Sequence, residues 1–288
     1  MKNFLCLFLI LFCCYNKAYS NESTLEWESL ETQVNHIPTH LAQKDKKVLV
    51  LIIASDNLLA YLELQKIWNA YMHKDRKHFE VYFIKGNPAL STAYEINGDS
   101  IIVKTEESLV PGIVKKTVLS LEAMLPRLKE FDYVLRTNLS SFYYFPNLLM
   151  YLSVLPKDKC YSAVSQYCDT SQFGRIYFGS GAGFILSSDL AAMLVKGKEE
   201  IFKLSKDLPD DVLIGYFFQK RNIFAKPANR IDFVSREEWE NKKDRLSKGA
   251  YHFRAKKSYW IRKDTDDYED EIYILKQLLL KYYHVFLP

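Results

Sequence analysis

The sequence predicts an α/β fold, an open and mostly parallel sheet flanked by helices on both faces. Three observations carry this expectation. Val48-Leu49-Val50-Leu51-Ile52-Ile53-Ala54 is an unbroken apolar run, which reads as a strand buried on both faces, as in a parallel sheet. From there to Thr137 the strand and helix patterns alternate, as in βαβ units. The chain has 288 residues, of which 48% are hydrophobic, enough apolar surface for one sizeable core.

The elements follow in order. Ser55-Asp56-Asn57 offers helix caps after the first strand, and Leu59, Leu62, Ile67, Trp68 and Tyr71 then mark a helix. Phe79 to Ile84 is a second strand, ending at Lys85-Gly86-Asn87-Pro88. Ser100 to Val103 is a short third strand. Ile113 to Leu128 is amphipathic, with Val114, Val118, Leu121, Leu125 and Leu128 on one face, and Pro126 is expected to kink or shorten it. Phe131 to Thr137 is the next strand. The second half mixes strands at Cys160 to Val164 and Gly183 to Ser187 with helices at Ser188 to Val195 and Asp210 to Gln219. Short strands near Ile231 to Val234 and Tyr251 to Arg254 precede a last helix, Tyr268 to Tyr283, with Ile272, Leu275, Leu279 and Tyr282 inward. No Pro/Gly/Ser linker, repeat or low-complexity tract divides residues 48–288, so they read as one domain.

Lys2, the apolar run Phe4 to Tyr15 and the small-residue segment Ala18-Tyr19-Ser20 read as a secretory signal peptide over residues 1–20. The protein is therefore expected to be exported: secreted, periplasmic or lumenal. A membrane span needs ~20 apolar residues, so this run is short for an anchor, and no later stretch predicts a span in the mature chain. Residues 21–47 are polar and read as a linker or arm. With 39 basic against 35 acidic side chains, the charge is too balanced to suggest a nucleic-acid partner. Two of the five cysteines, Cys160 and Cys168, follow the signal, as a short disulfide loop or as two packed thiols.

Four segments hold residues that suit chemistry. Strand 131–137 runs into Asn138-Leu139-Ser140-Ser141. Ligands of open α/β sheets bind at such carboxyl ends, though Asn and Ser also favour plain turns. Gly179-Ser180-Gly181-Ala182-Gly183 precedes an apolar strand, either letting backbone approach a ligand or forming a bulge, with Ser188 or Asp189 capping the next helix. Asp210 and Asp211 open a helix, where capping and the helix dipole favour them in any case. One of the two would also serve as a general base, and their mutual repulsion would raise one pKa. Tyr251-His252-Phe253-Arg254, with Lys256 and Lys257 just beyond, suits a diphosphate or a metal, although a lone His is more often a simple hydrogen-bonded residue.

Taken together these segments resemble the GT-A glycosyltransferases of the β1,3-galactosyltransferase and Fringe-like group. The resemblance runs from Val48 to Arg254 and rests on order: Lys116-Thr117, the strand Tyr133 to Thr137, Gly181 to Leu190, then Asp210-Asp211-Val212 and Gly215. It implies a GT-A-like (Rossmann-like) fold and transfer of a sugar from a UDP-type nucleotide-sugar donor to a hydroxyl of a glycan or glycoconjugate, with inversion. It implies Asp211 as the base, with Asp210 second. Arg136, Asn138, Ser140, His252, Arg254 and Lys257 fall to the donor, and Gly181 and Gly183 border the acceptor. The family's Asp-x-Asp, which holds a divalent Mn or Mg ion on the donor diphosphate, is here Asn138-Leu139-Ser140. Those residues offer neutral oxygens and no negative charge. That departure leaves a second expectation open, a glycan- or partner-binding protein on a decayed transferase scaffold.

Overall fold

The computed structural model describes residues 46–256 and 268–288. The residues read as a signal peptide, nearly all of those read as a polar arm, and Lys257 lie outside the described residues.

Strand β1 (Val48–Ile53) is the centre of the main sheet. Its alternation sorts the core: Val48, Val50 and Ile52 enter one apolar cluster, Leu49 and Leu51 the other. Strands β2 (Phe79–Gly86) and β5 (Tyr133–Asn138) pair with it in parallel on either side. Beyond β2 lie the parallel β4 (Ser100–Val103) and the antiparallel edge strand β3 (Tyr94–Asn97). Beyond β5 come β8 (Gly174–Ser187) and β7 (Tyr161–Thr170), both antiparallel to their inner neighbours, and then β9 (Lys226–Pro227), parallel to β7. The order is β3-β4-β2-β1-β5-β8-β7-β9. A second sheet joins β10 (Ile231–Phe233), β11 (His252–Ala255) and β6 (Ser141–Tyr143), with β11 in the middle.

Helices cover both faces of the main sheet. On one side α1 (Leu59–Asn69), α3 (Phe145–Ser153), α8 (Glu269–Tyr283) and the apolar face of the small sheet share a core rich in rings. There Trp68 and Tyr71 stack at 5.0 Å, and Phe79 and Phe145 at 4.1 Å. On the other side lie α2 (Gly112–Met124), α4 (Ser188–Lys196), α5 (Lys198–Leu204) and α6 (Asp210–Gln219). The short α7 (Arg236–Lys242) adds Trp239 to the first core. This is the expected α/β architecture, with a mostly parallel eight-stranded sheet flanked by helices.

Several elements depart from the sequence reading. Leu59 is 79% exposed; the buried stripe of α1 is Ala60, Leu64, Gln65, Ile67 and Trp68. Helix α2 stops at Met124, because Pro126 lacks the N–H to continue it, and a 3-10 turn over Leu125–Glu130 turns Leu125 outward. Ser187, not Ser188 or Asp189, is the N-cap residue of α4; Ser188 donates to the Phe131 carbonyl, and Asp189 accepts from the Lys159 N–H at 3.1 Å. In α8 the fully buried apolar residues are Ile274, Leu275, Leu278 and Leu279, with Ile272 and Tyr282 partly covered. Cys160 and Cys168 are both buried thiols, not joined in a disulfide. Eight residues of extended chain separate them by roughly 26 Å, far beyond disulfide reach.

The feature that shapes the site is in β8. Ala163 pairs with Phe184 and Ser165 with Gly179, so Ser180 to Gly183 stand against Val164 alone. The glycine-rich stretch is a bulge, at the place where β8 passes the carboxyl end of β5.

Candidate functional site

The alternation of β5 decides what its end offers. Val134 lies in the core facing α6, and two residues on Arg136 points the same way. Arg136 is therefore a cation within an apolar layer, 3% exposed. Such a charge is tolerated only when paired and hydrogen-bonded. Its Nη2 donates to the Asp210 carboxylate and its Nη1 to the Gly181 carbonyl at 2.5 Å. Removing one member of a buried pair of this kind costs ~3–5 kcal/mol.

Asp210 and Asp211 form the first turn of α6, whose unpaired N–H groups and dipole suit them. The two have different surroundings. Asp210 is buried against Arg136. Asp211 is partly exposed; its Oδ2 accepts the Gly181 N–H at 2.8 Å and its Oδ1 the Val212 N–H at 3.0 Å. Desolvation, helped by the neighbouring Asp210 charge, pushes the Asp211 carboxyl up to about 6, against the pull of the two N–H groups and Arg136. Gly181 allows this approach, since a Cβ there would stand 2.9 Å from Asp211 Oδ2.

Asn138 ends β5 on the same side. Its Oδ1 accepts from the Ser140 and Ser141 hydroxyls at 3.0 and 3.3 Å, and its Nδ2 reaches the Gly181 carbonyl at 3.5 Å. Ser140 and Ser141 are buried. Ser141 Oγ also donates to the Ala182 carbonyl at 2.8 Å and lies 3.3 Å from His252 Nε2.

The small sheet supplies the opposite wall. His252 pairs with Tyr143, and Arg254 with Ser141 and Asp232. Residues paired in this way share a face, so Ser141, His252, Arg254 and Asp232 make a polar side together with Tyr143, whose ring is itself in the core, while Phe142, Phe253 and Phe233 enter the core from the other face. His252 stacks on Tyr143 at 4.2 Å and is buried. Burial, then the charges of Arg230 and Arg254, hold its imidazole well below the usual histidine range, so it is neutral at pH 7. Gly183 makes room for it, because a Cβ would stand 2.8 Å from His252 Cε1 and strike the Tyr143 hydroxyl. A small void behind Gly183 is lined by Leu135, Tyr143, Tyr251 and His252, among others.

Nine of the ten residues predicted for a site thus belong to the segments that meet around the carboxyl end of β5, and the tenth, Lys257, falls outside the described residues. Arg136 is turned inward to Asp210 and Gly181, which removes it from the cations facing an incoming diphosphate. His252 stands behind the edge and reaches it through Ser141. Two further groups were not among the predicted site residues. Arg230 chelates Asp232 at 2.5 and 2.8 Å and donates to Ser180 Oγ at 2.8 Å. Lys116, buried in α2, donates to the Ala54 carbonyl at 3.0 Å and to Glu107 at 2.6 Å, while Glu107 accepts the Gly86 N–H at 2.5 Å. The Arg230–Asp232 and Lys116–Glu107 pairs are local, but the contacts that bring them to the site, Arg230 to Ser180 and Lys116 to Ala54, cross 50 and 62 residues, so no local spacing announces those.

The residues present do not fit a divalent metal of the Asp-x-Asp kind. Among the described residues no group of three or more His, Cys, Asp or Glu side chains converges as a metal site. Asn138 Oδ1 is already shared by two hydroxyls, and no carboxylate stands at 138–140. Among the described residues, too, no helix is long and apolar enough to cross a membrane. Compared with known proteins, the chain matches no family model and no curated sequence.

Proposed function

We propose that the protein is a glycosyltransferase with a GT-A-like fold, moving a sugar from a UDP-type nucleotide donor to a hydroxyl of a glycan or glycoconjugate. The observation that carries this reading is the state of Asp211 beside the Asn138–Ser141 turn. It is a partly exposed carboxylate with a midpoint of about 6, oriented by two backbone N–H groups at the carboxyl end of the parallel strands. Inverting transfer needs one base to take the acceptor proton as the hydroxyl attacks the anomeric carbon, and a midpoint near working pH suits that task. The donor would lie along Asn138 and Ser140, with Gly181 and Gly183 bordering the acceptor. Arg254 and Arg230 are the described cations on the small-sheet side, with His252 neutral between them and Lys257 next along the chain. Positive charge there would stabilise the leaving diphosphate.

One observation favours a second reading, a glycan- or partner-binding protein on the same scaffold: the absence of any carboxylate at 138–140. A single set of measurements separates the two. Under transferase chemistry UDP raises the melting temperature, since a ligand of the native state stabilises it, and a panel of nucleotide sugars yields a transferred product. Asp211→Asn then lowers the transfer rate by ~10²–10⁴-fold while UDP still binds. No melting shift with any nucleotide, together with glycan binding, supports the second reading instead.

A further inference from the structure

Gly181 joins the two halves of the acid pair. Its N–H donates to Asp211 Oδ2 at 2.8 Å, and its carbonyl accepts from Arg136 Nη1 at 2.5 Å. The other Arg136 nitrogen donates to Asp210, the residue before Asp211. A closed ring results, running Arg136, Asp210, Asp211, Gly181 and back to Arg136, with the guanidinium stacked toward the Phe184 ring at 5.3 Å. Asp210 is buried and held by a cation, whereas Asp211 keeps access to solvent.

We infer that Arg136 is a positioning residue for Asp211: it takes up the charge of Asp210 and fixes the Gly181 backbone, so that of the two adjacent carboxylates Asp211 is the one that exchanges a proton with a bound hydroxyl. The hydroxyl rests on the transferase reading; the clamp itself does not. In the transfer step the acceptor O–H bond breaks and its proton passes to an Asp211 oxygen. The freed electron pair forms the bond to the anomeric carbon. The donor's phosphate oxygen leaves with the electrons of the broken C–O bond.

Other charged groups surround the pair and belong to the same balance. Lys116 from α2, paired with Glu107, feels both Arg136 and Asp210. Tyr161 from β7 faces both aspartates and accepts the Gly179 N–H at 2.6 Å. Arg230, held by Asp232, touches the bulge through Ser180. None of these hydrogen-bonds Asp211, which leaves Arg136 and Asp210 as the pair whose removal acts most directly.

The test is a carboxyl ¹³C NMR titration of Asp211, assigned with Asp211→Asn, in the full chain and in Arg136→Gln, Asp210→Asn and the double variant. Loss of the guanidinium moves the Asp211 midpoint up, and loss of the Asp210 charge moves it down. The double variant removes both charges at once and leaves no lone buried ion, so it keeps the test open if Arg136→Gln does not fold. Its midpoint is expected above that of Asp210→Asn alone. Midpoints that coincide among the folded variants, or single variants that shift in the same direction, would overturn the inference. The acid limb of the pH–rate profile should follow the same order. If no donor supports transfer, the transferase reading falls, and the titration still decides the clamp.

Discussion

His252 shows how far one side chain can be set by its neighbours. It is buried on Tyr143 and faces Arg230 and Arg254, and its Nε2 lies 3.3 Å from the Ser141 hydroxyl. In the unfolded chain it takes a proton near 6.5, its ordinary value; in the folded protein it does so only at lower pH. Its contribution to stability is therefore present above pH 6.5 and is lost as pH falls below it. Asp211 works in the opposite sense, because its folded value of about 6 lies above the ordinary 3.8. Its contribution is present below 3.8 and is lost as pH rises through 6. Below pH 6 the two slopes oppose each other, and a variant separates them. Urea unfolding from pH 7.5 to 5 should show the parent losing stability more steeply than His252→Gln. Parallel curves would mean that the imidazole is not held neutral by its surroundings.

At the scale of elements, the placing of α6 on β8 fixes the acid pair. Gly215 is the point of closest approach: a Cβ would lie 2.7 Å from both the Phe178 Cα and the Tyr177 carbonyl oxygen. Two effects compete in Gly215→Ala. Helix propensity favours alanine by ~1 kcal/mol, while overpacking against backbone, which cannot rotate away, costs ~1–3 kcal/mol. The clash should win, lowering the urea midpoint and displacing Asp210 and Asp211 with the helix. A gain in stability would show that α6 shifts freely over β8. The glycine was legible in the sequence as part of the Asp210-Asp211-Val212 to Gly215 pattern, although the reason for it was not. The same holds more widely. β1 was legible because a strand buried on both faces leaves an unbroken apolar run; β2, β4 and β5 were legible as shorter segments rich in β-branched and ring side chains. β3 was missed, as all four of its residues are exposed, and β6 was missed because it is only three residues long and starts at Ser141, where the polar cluster after β5 ends. β7 and β8 came out longer than predicted, since their outer halves alternate buried and exposed residues. In the site, Asp211, Asn138 and Gly181 were marked by type and position. The inward turn of Arg136 was not, because it depends on a strand parity that is known only once β5 and α6 are packed.

On the scale of the whole molecule, the main sheet is a partition between two apolar bodies that share few residues except through the strands themselves. β1 is hydrogen-bonded on both edges and contributes side chains to both bodies, so neither can open without it. Its amides should exchange with solvent only when the entire chain unfolds, at rates that track global stability, whereas those of the edge strand β3 should exchange through local opening. Truncation of Val50 or of Leu51 to alanine, one on each side, should each cost ~2–4 kcal/mol. In both variants the β1 amides should still exchange last, as a single cooperative set; separate loss of one side would show two folding units. A protein cut along this plane would leave the apolar face of each half bare, and the same wall that closes off its two interiors carries, at one rim, Asn138 and the bulge at Gly181 against which Asp211 is set.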